Sequence, residues 1–400
     1  MRSTRFCVVN LGCKVNRVES DTIAAALIAQ GGVAVGEEDA ELVVVNTCTV
    51  TGEADKKARK AVRHALKSAP GADVIVTGCA VAINAEAYEA LGERVKVVQR
   101  AELLASLNDG KGADFMRLGE GFRTRVSVKV QDGCNRACTY CIVHVARGRS
   151  KSVPASDVLA ECERYLARGV KELVLTGIDL GSYRDGSVKL EDLAENLLEL
   201  IDRNTPPNEQ PARLRASSLE PDSVSRGFID LMAKSDGLLC RHLHLPLQSG
   251  STKVLREMAR PYTADGFYGL VESIYDAVPE LSLSTDIICG FPGESEEEFA
   301  ETLEIARRCR FSKIHVFPYS MRSGTPAAAR RDQVPPEVKT ARAAKLRSLA
   351  DDLRAADLAR RAGSVELALV EGATALTESY HEIPAPTGCT SGSLVPVTLQ

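Results

Sequence analysis

The chain has 400 residues and a formal net charge of −4, from 50 Lys and Arg against 54 Asp and Glu. That length predicts roughly two to four domains, and a composition of 44% hydrophobic and 26% charged residues excludes a disordered chain, a collagen-like chain and a strongly basic nucleic-acid coat protein. Because the sequence has no signal-peptide pattern and no run of about 18 uncharged apolar residues, we expect a cytoplasmic protein with no membrane partner.

The first 119 residues alternate short apolar runs with helix-like stretches. This repeated βα pattern predicts an N-terminal α/β domain over residues 1–119, with a parallel sheet and helices on both of its faces. The glycine-rich segment 110–121 predicts a linker. The predicted strands are 6–11, 42–46, 74–77 and 95–98, and the predicted helices are 18–30, 56–68, 85–91 and 101–107.

A second βα series occupies residues 120–361. Its six strand–helix units predict a partial (β/α)6 barrel, in which ligands bind at the carboxyl ends of the strands. Pro335 and Pro336 then begin a long helix that is predicted to end near Arg361. The predicted barrel strands are 125–130, 173–176, 214–217, 242–247, 283–288 and 314–317.

The last segment, residues 362–400, has short β-type runs separated by Gly and Pro at 365–370, 375–380 and 394–399. This pattern predicts a small C-terminal β-barrel domain. The segment contains no Lys or Arg, so we expect an acidic surface that repels phosphate. Its acidic residues are Glu366, Glu371, Glu378 and Glu382.

Cys134, Cys138 and Cys141 follow the first barrel strand in the segment C-N-R-A-C-T-Y-C. Three thiolates in one short loop can hold three irons of a 4Fe-4S cluster, with the fourth iron open to a substrate ligand. A zinc knuckle is the alternative, with His144 as a candidate fourth ligand, since structural zinc takes four ligands. We expect reduced thiols, because disulfide frameworks belong to small secreted domains.

Cys13, Cys48 and Cys79 are far apart in the chain, yet each follows a predicted strand of the first domain. Parallel strands end at one edge of a sheet, where open α/β sheets bind ligands, so we expect the three thiols to meet there and to hold a second cluster. Gly12 and Gly78 precede two of them and permit tight backbone turns. Five other cysteines are expected to be small buried hydrophobes, and Cys389 is unassigned. The five are Cys7, Cys162, Cys240, Cys289 and Cys309.

Both cysteine patterns, with the Tyr before Cys141, resemble those of the radical S-adenosylmethionine (SAM) methylthiotransferase family. The resemblance extends over nearly the whole chain. The form G-C-K-V-N at residues 12–16 is similar to the branch that modifies N6-threonylcarbamoyladenosine. The isopentenyladenosine branch more often reads G-C-Q-M-N, and the ribosomal-protein branch reads G-C-P-K-N. The most telling segments are 11–16 with Glu19 and Ser20, 45–50, 77–80 and 132–134.

The resemblance implies a methylthiotransferase domain with an auxiliary cluster at 1–119, a radical SAM barrel with its closing helix at 120–361 and a TRAM-like β domain at 362–400. It implies two 4Fe-4S clusters and SAM as cofactors. The catalytic cysteines Cys134, Cys138 and Cys141 hold the cluster that cleaves SAM to a 5′-deoxyadenosyl radical, and the second cluster presents the sulfur. The implied product is the 2-methylthio derivative of N6-threonylcarbamoyladenosine next to the tRNA anticodon.

Polar residues at barrel strand ends are the candidates for SAM contacts, because acids and amides there suit ribose and amino-acid groups. An ordinary chain-reversing turn is the alternative for each of these segments. The candidates are Gly177, Asp179, Glu220, Gln248 and Asp286.

Three basic clusters predict an RNA footprint, although solvated helix surface is the ordinary alternative. The first has helical spacing and forms one face of the predicted helix 56–68. The resemblance adds the expected partners: the anticodon loop of a tRNA, an electron donor such as flavodoxin or ferredoxin, and a sulfur donor. The clusters are Lys56, Lys60, Arg63 and Lys67; Arg147, Arg149 and Lys151; and Arg330, Arg331, Lys339, Arg342, Lys345 and Arg347.

Two other functions fit part of the pattern. The first keeps the chemistry but modifies a ribosomal-protein side chain; an acidic terminal domain favours it, and the G-C-K-V-N form disfavours it. The second is an iron–sulfur electron carrier, which is not an enzyme. Carriers usually close all four iron positions with protein ligands, whereas each cysteine set here offers three.

Overall fold

The computed structural model describes residues 4–49, 51–107 and 124–400. The predicted linker at 110–121 lies outside the described residues. An N-terminal parallel sheet, a central set of parallel strands and a C-terminal antiparallel sheet follow one another along the chain. This is the mixed α/β architecture that the sequence predicts.

The N-terminal sheet has five parallel strands: β1 (Arg5–Asn10), β2 (Val33–Ala34), β3 (Leu42–Thr47), β4 (Asp73–Gly78) and β5 (Val95–Val97). They are arranged in the order β2-β1-β3-β4-β5. The apolar run of β3 is buried along nearly its whole length, as expected for a central parallel strand that is covered on both faces. Strand β2 was not predicted, because it has two exposed residues and no apolar run.

The described residues of this region form five helices: α1 (Lys14–Ala29), α2 (Gly52–Ser68), α3 (Cys79–Ile83), α4 (Glu86–Glu89) and α5 (Arg100–Leu107). Helix α1 begins at residue 14 rather than at the predicted residue 18, because Cys13 already has the extended backbone of an N-cap. The short helix α3 begins directly at Cys79 and was not predicted. Two of the three cysteines of this region therefore lie at helix starts.

Ten strands lie in the central region: β6 (Arg125–Lys129), β7 (Gln131–Asp132), β8 (Lys151–Ser152), β9 (Glu172–Thr176), β10 (Arg184–Asp185), β11 (Val188–Lys189), β12 (Arg213–Ala216), β13 (His242–His244), β14 (Ser282–Cys289) and β15 (Lys313–Pro318). Two parallel sheets, β12-β9-β6 and β13-β14-β15, contain the six predicted barrel strands. Isolated parallel bridges at Leu214–Leu239 and Ser218–His244 join these halves into a partial barrel. Strand β13 is shorter than predicted, since Pro246 has no N–H to donate.

Successive side chains of a barrel strand point to opposite sides, either to the outer helices or into the barrel. In β12, Leu214 and Ala216 join the main apolar cluster under the outer helices, whereas Arg213 and Arg215 face the other way, into the barrel. The helices of this region are α6 (Val143–Arg147), α7 (Ala155–Leu166), α8 (Leu190–Arg203), α9 (Arg226–Lys234), α10 (Thr252–Glu257), α11 (Ala264–Ala277) and α12 (Glu296–Arg308). The barrel interior is therefore polar, and the core lies outside it.

The long predicted helix is α13 (Pro336–Arg361). After it come β16 (Val365–Glu371), β17 (Thr374–Thr377), β18 (Glu382–Pro384) and β19 (Leu394–Thr398), an antiparallel sheet in the order β18-β17-β16-β19. Arg213 and Arg215 donate to backbone carbonyls of this sheet, which docks it on the barrel. Within the described part of the chain, no helix has both the length and the apolar sequence needed to span a membrane.

Candidate active site

The sheet register brings the first three cysteines to one edge. Asn10 of β1 is paired with Asn46 of β3, and Asn46 is paired with Thr77 of β4, so these neighbouring strands end at the same level. Cys13, Cys48 and Cys79 follow these three ends within three residues. None of the three forms a disulfide, and Cys48 and Cys79 are buried whereas Cys13 is exposed. The predicted convergence is therefore present, at the carboxyl edge where open α/β sheets bind ligands.

Asn16 lies at the centre of this group and is fully buried. Its side-chain oxygen is 3.6 Å from Cys13 Sγ and 3.8 Å from Cys79 Sγ, and its amide donates to the carbonyl of Thr47 at 2.7 Å. Close approach also explains Gly12, because a Cβ there would lie 2.8 Å from the Cβ of Cys48. The amide and the glycine hold three separate loops against one another.

The second cysteine set lies in the loop after β7, close to the barrel mouth. Backbone N–H groups of Arg136 and Val143 point at Cys134 Sγ and Cys141 Sγ, each at 3.4 Å, and Arg260 donates to Cys138 Sγ at 3.3 Å. Hydrogen bonds to sulfur are a recurrent feature of iron–sulfur sites, where they tune the reduction potential. The donors around this loop therefore suit thiolates that carry charge.

Burial makes these thiols poor acids by themselves. Desolvation raises the pKa of Cys79 to about 11, although the charge of Arg147 opposes it, and raises the pKa of Cys134 to about 12. A coordinated metal deprotonates a thiol outright. Since each set offers three cysteines outside any disulfide, with hydrogen-bond donors aimed at sulfur in both sets, both sets fit a cluster that is bound by three thiolates.

Arg147 lies between the first cysteine set and Asp132, two residues before the second set, so its predicted place on an RNA-facing surface is wrong. Its side chain is only 1% exposed. It donates to Cys79 Sγ at 3.1 Å and to Asn16 at 2.5 Å on one side, and to Asp132 at 2.9 Å, just before the second loop, on the other. Glu19 completes the cluster at 3.0 Å. The arginine is buried because these acids neutralise it between two packed helices, α3 and α6.

The predicted SAM-contact residues fall into two groups. Asp179 and Glu220 lie at the second cysteine loop. Asp179 accepts from Cys134 Sγ at 3.8 Å and from Arg136 at 3.3 Å, and Glu220 is ion-paired with Arg260, which donates to Cys138 Sγ. Gly177 packs under the same loop, since a Cβ there would lie 2.8 Å from Gln131 Oε1.

Gln248 and Asp286 are farther along the barrel. Their backbones are hydrogen-bonded at 2.9 Å, and Gln248 has a left-handed backbone with φ of 65°. Asp286 pairs with His244 at 3.3 Å. His244, Asp286 and His315 present ligand-type atoms within 4.8 Å of one another. The structure shows no direct contact of these two candidates with the cysteine loop among the described residues.

Several site residues escaped sequence analysis. Gln131 accepts from the N–H groups of Ile178 and Asp179, both at 2.9 Å, and so connects the cysteine loop to the second barrel strand. Arg260 is distant from the cysteines in the chain, and no local motif marks it. Asn16 belongs to the G-C-K-V-N segment that the sequence singles out, but its contacts with the cysteines were not predicted.

The four basic residues of the predicted helix face are all exposed, whereas the other two basic clusters contain both exposed and buried or ion-paired residues. Lys56, Lys60, Arg63 and Lys67 are all exposed on α2, opposite its buried residues Ala58, Val62 and Ala65. Arg149 and Lys151 are exposed as well. Arg342 is buried against Glu294 at 2.7 Å, so its inclusion in an RNA footprint was wrong. Arg330 is ion-paired with Glu257 and Asp332.

The expected acidic C-terminal surface is also wrong. Glu366 is buried and pairs with Arg361 at 3.1 Å, Glu378 is buried and pairs with Arg241 at 3.2 Å, and Glu371 pairs with Arg125 at 3.0 Å. Of the four acids, Glu382 alone is exposed. Arginines from α13 and the barrel neutralise the other three, which composition could not reveal.

Two family models match separate parts of the chain. Residues 128–306 match the Radical SAM superfamily, and residues 5–99 match the model described as uncharacterized protein family UPF0004. The chain is 38% identical over 365 residues to the threonylcarbamoyladenosine tRNA methylthiotransferase MtaB of Bacillus subtilis (strain 168), a match that covers 86% of this chain and 79% of the relative. The chain belongs to the radical SAM methylthiotransferase family. It is accordingly a transferase.

Other relatives span the methylthiotransferase family. The Thermotoga maritima relative, also a threonylcarbamoyladenosine tRNA methylthiotransferase MtaB, is 34% identical over 86% of this chain and 82% of its own length. A tRNA-2-methylthio-N(6)-dimethylallyladenosine synthase from Carboxydothermus hydrogenoformans is 32% identical over 95% of this chain and 90% of its own length.

Solved structures support the fold. The radical SAM methyltransferase TsrM from Kitasatospora setae superposes with a TM-score of 0.57 at 15% identity, covering 82% of this chain and 77% of TsrM. The cobalamin-dependent SAM radical enzyme OxsB gives 0.54 at 10% identity, covering 88% of this chain and 56% of OxsB. At these identities the likeness concerns the fold alone.

Proposed function

We propose that this methylthiotransferase converts N6-threonylcarbamoyladenosine next to the tRNA anticodon to its 2-methylthio derivative. The observation that carries the proposal is the presence of two three-cysteine sets in adjacent parts of the fold, with Arg147 in contact with Cys79 of the first set and with Asp132, two residues before the second. The similarity to relatives named for this substrate, over most of the chain, supports the same assignment.

Each cysteine set would hold one 4Fe-4S cluster. Cys134, Cys138 and Cys141 would bind the cluster that works on SAM, and Cys13, Cys48 and Cys79 would bind the auxiliary one. When bound, these groups and SAM supply a 5′-deoxyadenosyl radical and a sulfur source, chemistry that protein side chains do not provide.

The chain itself orients the reactants and excludes water. The pairs Arg136–Asp179 and Arg260–Glu220 fix the second cysteine loop on two different barrel strands. Gly177, Asp179, Glu220, Gln248 and Asp286 line the strand ends where SAM would bind. Because reactive radicals demand close positioning, this preorganised frame is the main contribution of the protein to catalysis.

The exposed basic face of α2 supports a tRNA substrate. Lys60, Arg63 and Lys67 have no carboxylate partner among the described residues, and Lys56 has only the exposed Glu53, at 3.7 Å. Such unpaired cations favour phosphate binding. A base in an anticodon loop is readily splayed into a pocket. The reaction also needs an electron donor such as flavodoxin or ferredoxin and a sulfur donor, which we place in the cytoplasm with the tRNA.

The ribosomal-protein alternative loses its main support, since the C-terminal acids are paired within the chain. The electron-carrier alternative is inconsistent with family membership, because the relatives are transferases.

Mass spectrometry of tRNA nucleosides from a strain that lacks this gene tests the proposal. We expect N6-threonylcarbamoyladenosine to accumulate and its 2-methylthio derivative to disappear, with recovery on complementation by the wild-type gene but not by the Cys13→Ala, Cys48→Ala, Cys79→Ala variant. An unchanged nucleoside profile would overturn the assignment. Recovery by the variant would show that Cys13, Cys48 and Cys79 are not required for the reaction.

A further inference from the structure

Tyr380 occupies an unusual position inside the barrel. It lies in the turn between β17 and β18, and its backbone has φ of 70°, a left-handed conformation that is uncommon for a tyrosine. Its ring stacks on His242 of β13, with ring centroids 4.5 Å apart and planes at 17°. Strained residues of this kind persist where the surrounding structure holds them and are frequent at functional sites.

Three cations from different parts of the chain surround this ring. The Arg215 guanidinium is 5.2 Å from the ring centroid, and the ammonium groups of Lys313 and Lys14 are at 5.4 Å and 5.8 Å. They belong to β12, β15 and the first turn of α1. We call these three cations with Tyr380 the cationic pocket. It is therefore built by the N-terminal sheet region, the barrel and the C-terminal sheet together.

The three cations differ in how their donors are used. Arg215 is saturated, because it donates to Glu172 and to the carbonyls of Thr377 and Glu378, and so holds the turn that carries Tyr380. Lys14 and Lys313 have neither a hydrogen bond nor a carboxylate partner among the described residues. The nearby acids are engaged elsewhere: Glu172 with the two arginines of β12, and Asp286 with His244.

The cavity beside Lys14 and Tyr380 is large enough and accessible enough for a bound ligand. A cavity of about 670 Å³ is lined by Lys14, Arg125, Lys129, Arg215 and Tyr380, among others, which is within the range of small-ligand pockets. Lys14 is solvent-accessible. It directly follows Cys13 in the chain and lies in the first turn of α1. Lys313 does not line this cavity, but its ammonium group is 5.4 Å from the centroid of the Tyr380 ring, which does. Two positive charges around one ring favour an anion near both of them.

We propose that Lys14 and Lys313 bind the carboxylate of the threonyl group of the substrate, and so select threonylcarbamoyladenosine over adenosines with an uncharged N6 substituent. This inference rests on the function proposed above. A threonylcarbamoyl group ends in a carboxylate, and a dimethylallyl group has no charge. Lysine ammonium groups make strong charge-assisted bonds to carboxylates, and a substrate that lacks the anion leaves both cations unpaired.

The test compares two anticodon stem-loop RNAs, one with N6-threonylcarbamoyladenosine and one with its methyl ester. Dissociation constants are measured by fluorescence anisotropy, and methylthiolation rates are measured on the reconstituted enzyme. We expect the wild type to prefer the acid over the ester by about 10- to 100-fold in affinity, the range for hydrogen bonds to charged groups. Lys313→Met and Lys14→Met should each reduce that ratio several-fold.

Lys234→Met, on the exposed end of α9, is the matched control and should keep the wild-type ratio. If Lys14→Met fails to fold or to bind iron, Lys313→Met decides, since it lies on a barrel strand away from the cysteines. Equal affinity of the wild type for acid and ester, or an unchanged ratio in Lys313→Met, overturns the inference. Absence of methylthiolation on the acid RNA by the wild type overturns the proposed function instead.

Discussion

Arg147 and Arg149 are neighbours in the sequence with opposite environments. Arg149 is exposed. Arg147 lies at the end of α6, buried between Cys79 and Asn16 on one side and Glu19 on the other. Its position makes it a positioning residue for the first cysteine set rather than a phosphate ligand.

We expect Arg147→Met to destabilise the junction of the two cysteine sets, because Glu19 loses one of three cations and keeps only Lys129 at 2.8 Å and Arg100 at 3.5 Å. Since these partners remain, the loss should be smaller than the roughly 3–5 kcal/mol of a buried ion pair that loses its sole partner. Anaerobic urea unfolding of the reconstituted protein should report this loss, and iron analysis should show preferential depletion of the auxiliary site. Arg149→Met is the matched control, and equal stability and iron content in the two variants would contradict the assigned role.

The cysteines themselves can be separated by role. Wild-type protein should hold about eight irons after reconstitution, and replacement of Cys134, Cys138 and Cys141 by Ala should leave about half of them, with no cleavage of SAM. Replacement of Cys13, Cys48 and Cys79 should also leave about half but preserve SAM cleavage, measured as 5′-deoxyadenosine under a chemical reductant. Loss of cleavage in both folded variants would argue against two independent sites.

Helix α2 shows how one element divides between core and surface. Its buried stripe of Ala58, Val62 and Ala65 packs on the N-terminal sheet, which turns the four basic residues outward. Its N-terminus is capped by Thr51 and contacts Ser320 after β15, so the helix is fixed next to the barrel. The basic face is therefore held in a defined orientation.

Removing charge from this face should weaken tRNA binding in a salt-dependent way. Each of the changes Lys60→Gln, Arg63→Gln and Lys67→Gln should reduce the slope of log affinity against log salt by about 0.7–0.9, because fewer counterions are released. Filter binding or anisotropy over a range of salt concentrations measures the slope. Lys234→Gln on α9 should leave it unchanged. A triple variant with the wild-type slope would exclude this face from the RNA interface.

Docking of the C-terminal sheet on the barrel depends on a buried charge cluster. Glu172 is shared by Arg213 and Arg215, at 2.5 Å and 2.8 Å, and all three side chains are at most 1% exposed. The arginines also donate to the carbonyls of Leu367, Leu376 and Thr377. Since Arg215 also lies beside Tyr380, the same cluster joins domain docking to the cationic pocket.

We expect Glu172→Gln to lower stability by about 3–5 kcal/mol, because two buried guanidinium groups lose their shared carboxylate. Thermal unfolding at neutral pH measures the change. Glu209→Gln is the matched surface control, since the exposed Glu209 side chain has a single ion pair among the described residues, with Lys171 at 3.8 Å. A Glu172→Gln midpoint equal to that of the control would mean that the sheet docks by packing alone.

The same carboxylate makes stability depend on pH. Burial by itself would raise the pKa of Glu172, but Arg213 and Arg215 hold it at about 2, against an ordinary value of 4.5. Because the unfolded chain takes up this proton first, the stabilisation is present above about pH 4.5 and is lost as the pH falls towards 2. The stability difference between wild type and Glu172→Gln should therefore shrink between neutral pH and about pH 3. A constant difference would contradict the depressed pKa.

Local sequence patterns were sufficient to predict much of the secondary structure and both cysteine sets. Apolar runs and turn residues predicted four of the five parallel strands of the first sheet, all six barrel strands and the long helix α13, because those features depend on neighbouring residues and on burial. Cysteine spacing after strands predicted both cysteine sets, since the carboxyl ends of parallel strands coincide.

Tertiary structure alone decided which charges are paired. Arg147, Arg342, Glu366 and Glu378 read as surface charges in the sequence, yet each is buried with a partner. The pairing of Lys14 and Lys313 around Tyr380 likewise joins three distant parts of the chain. Charge pairing depends on distances of a few ångströms between residues that are often far apart in the chain, and a local sequence pattern does not determine such distances.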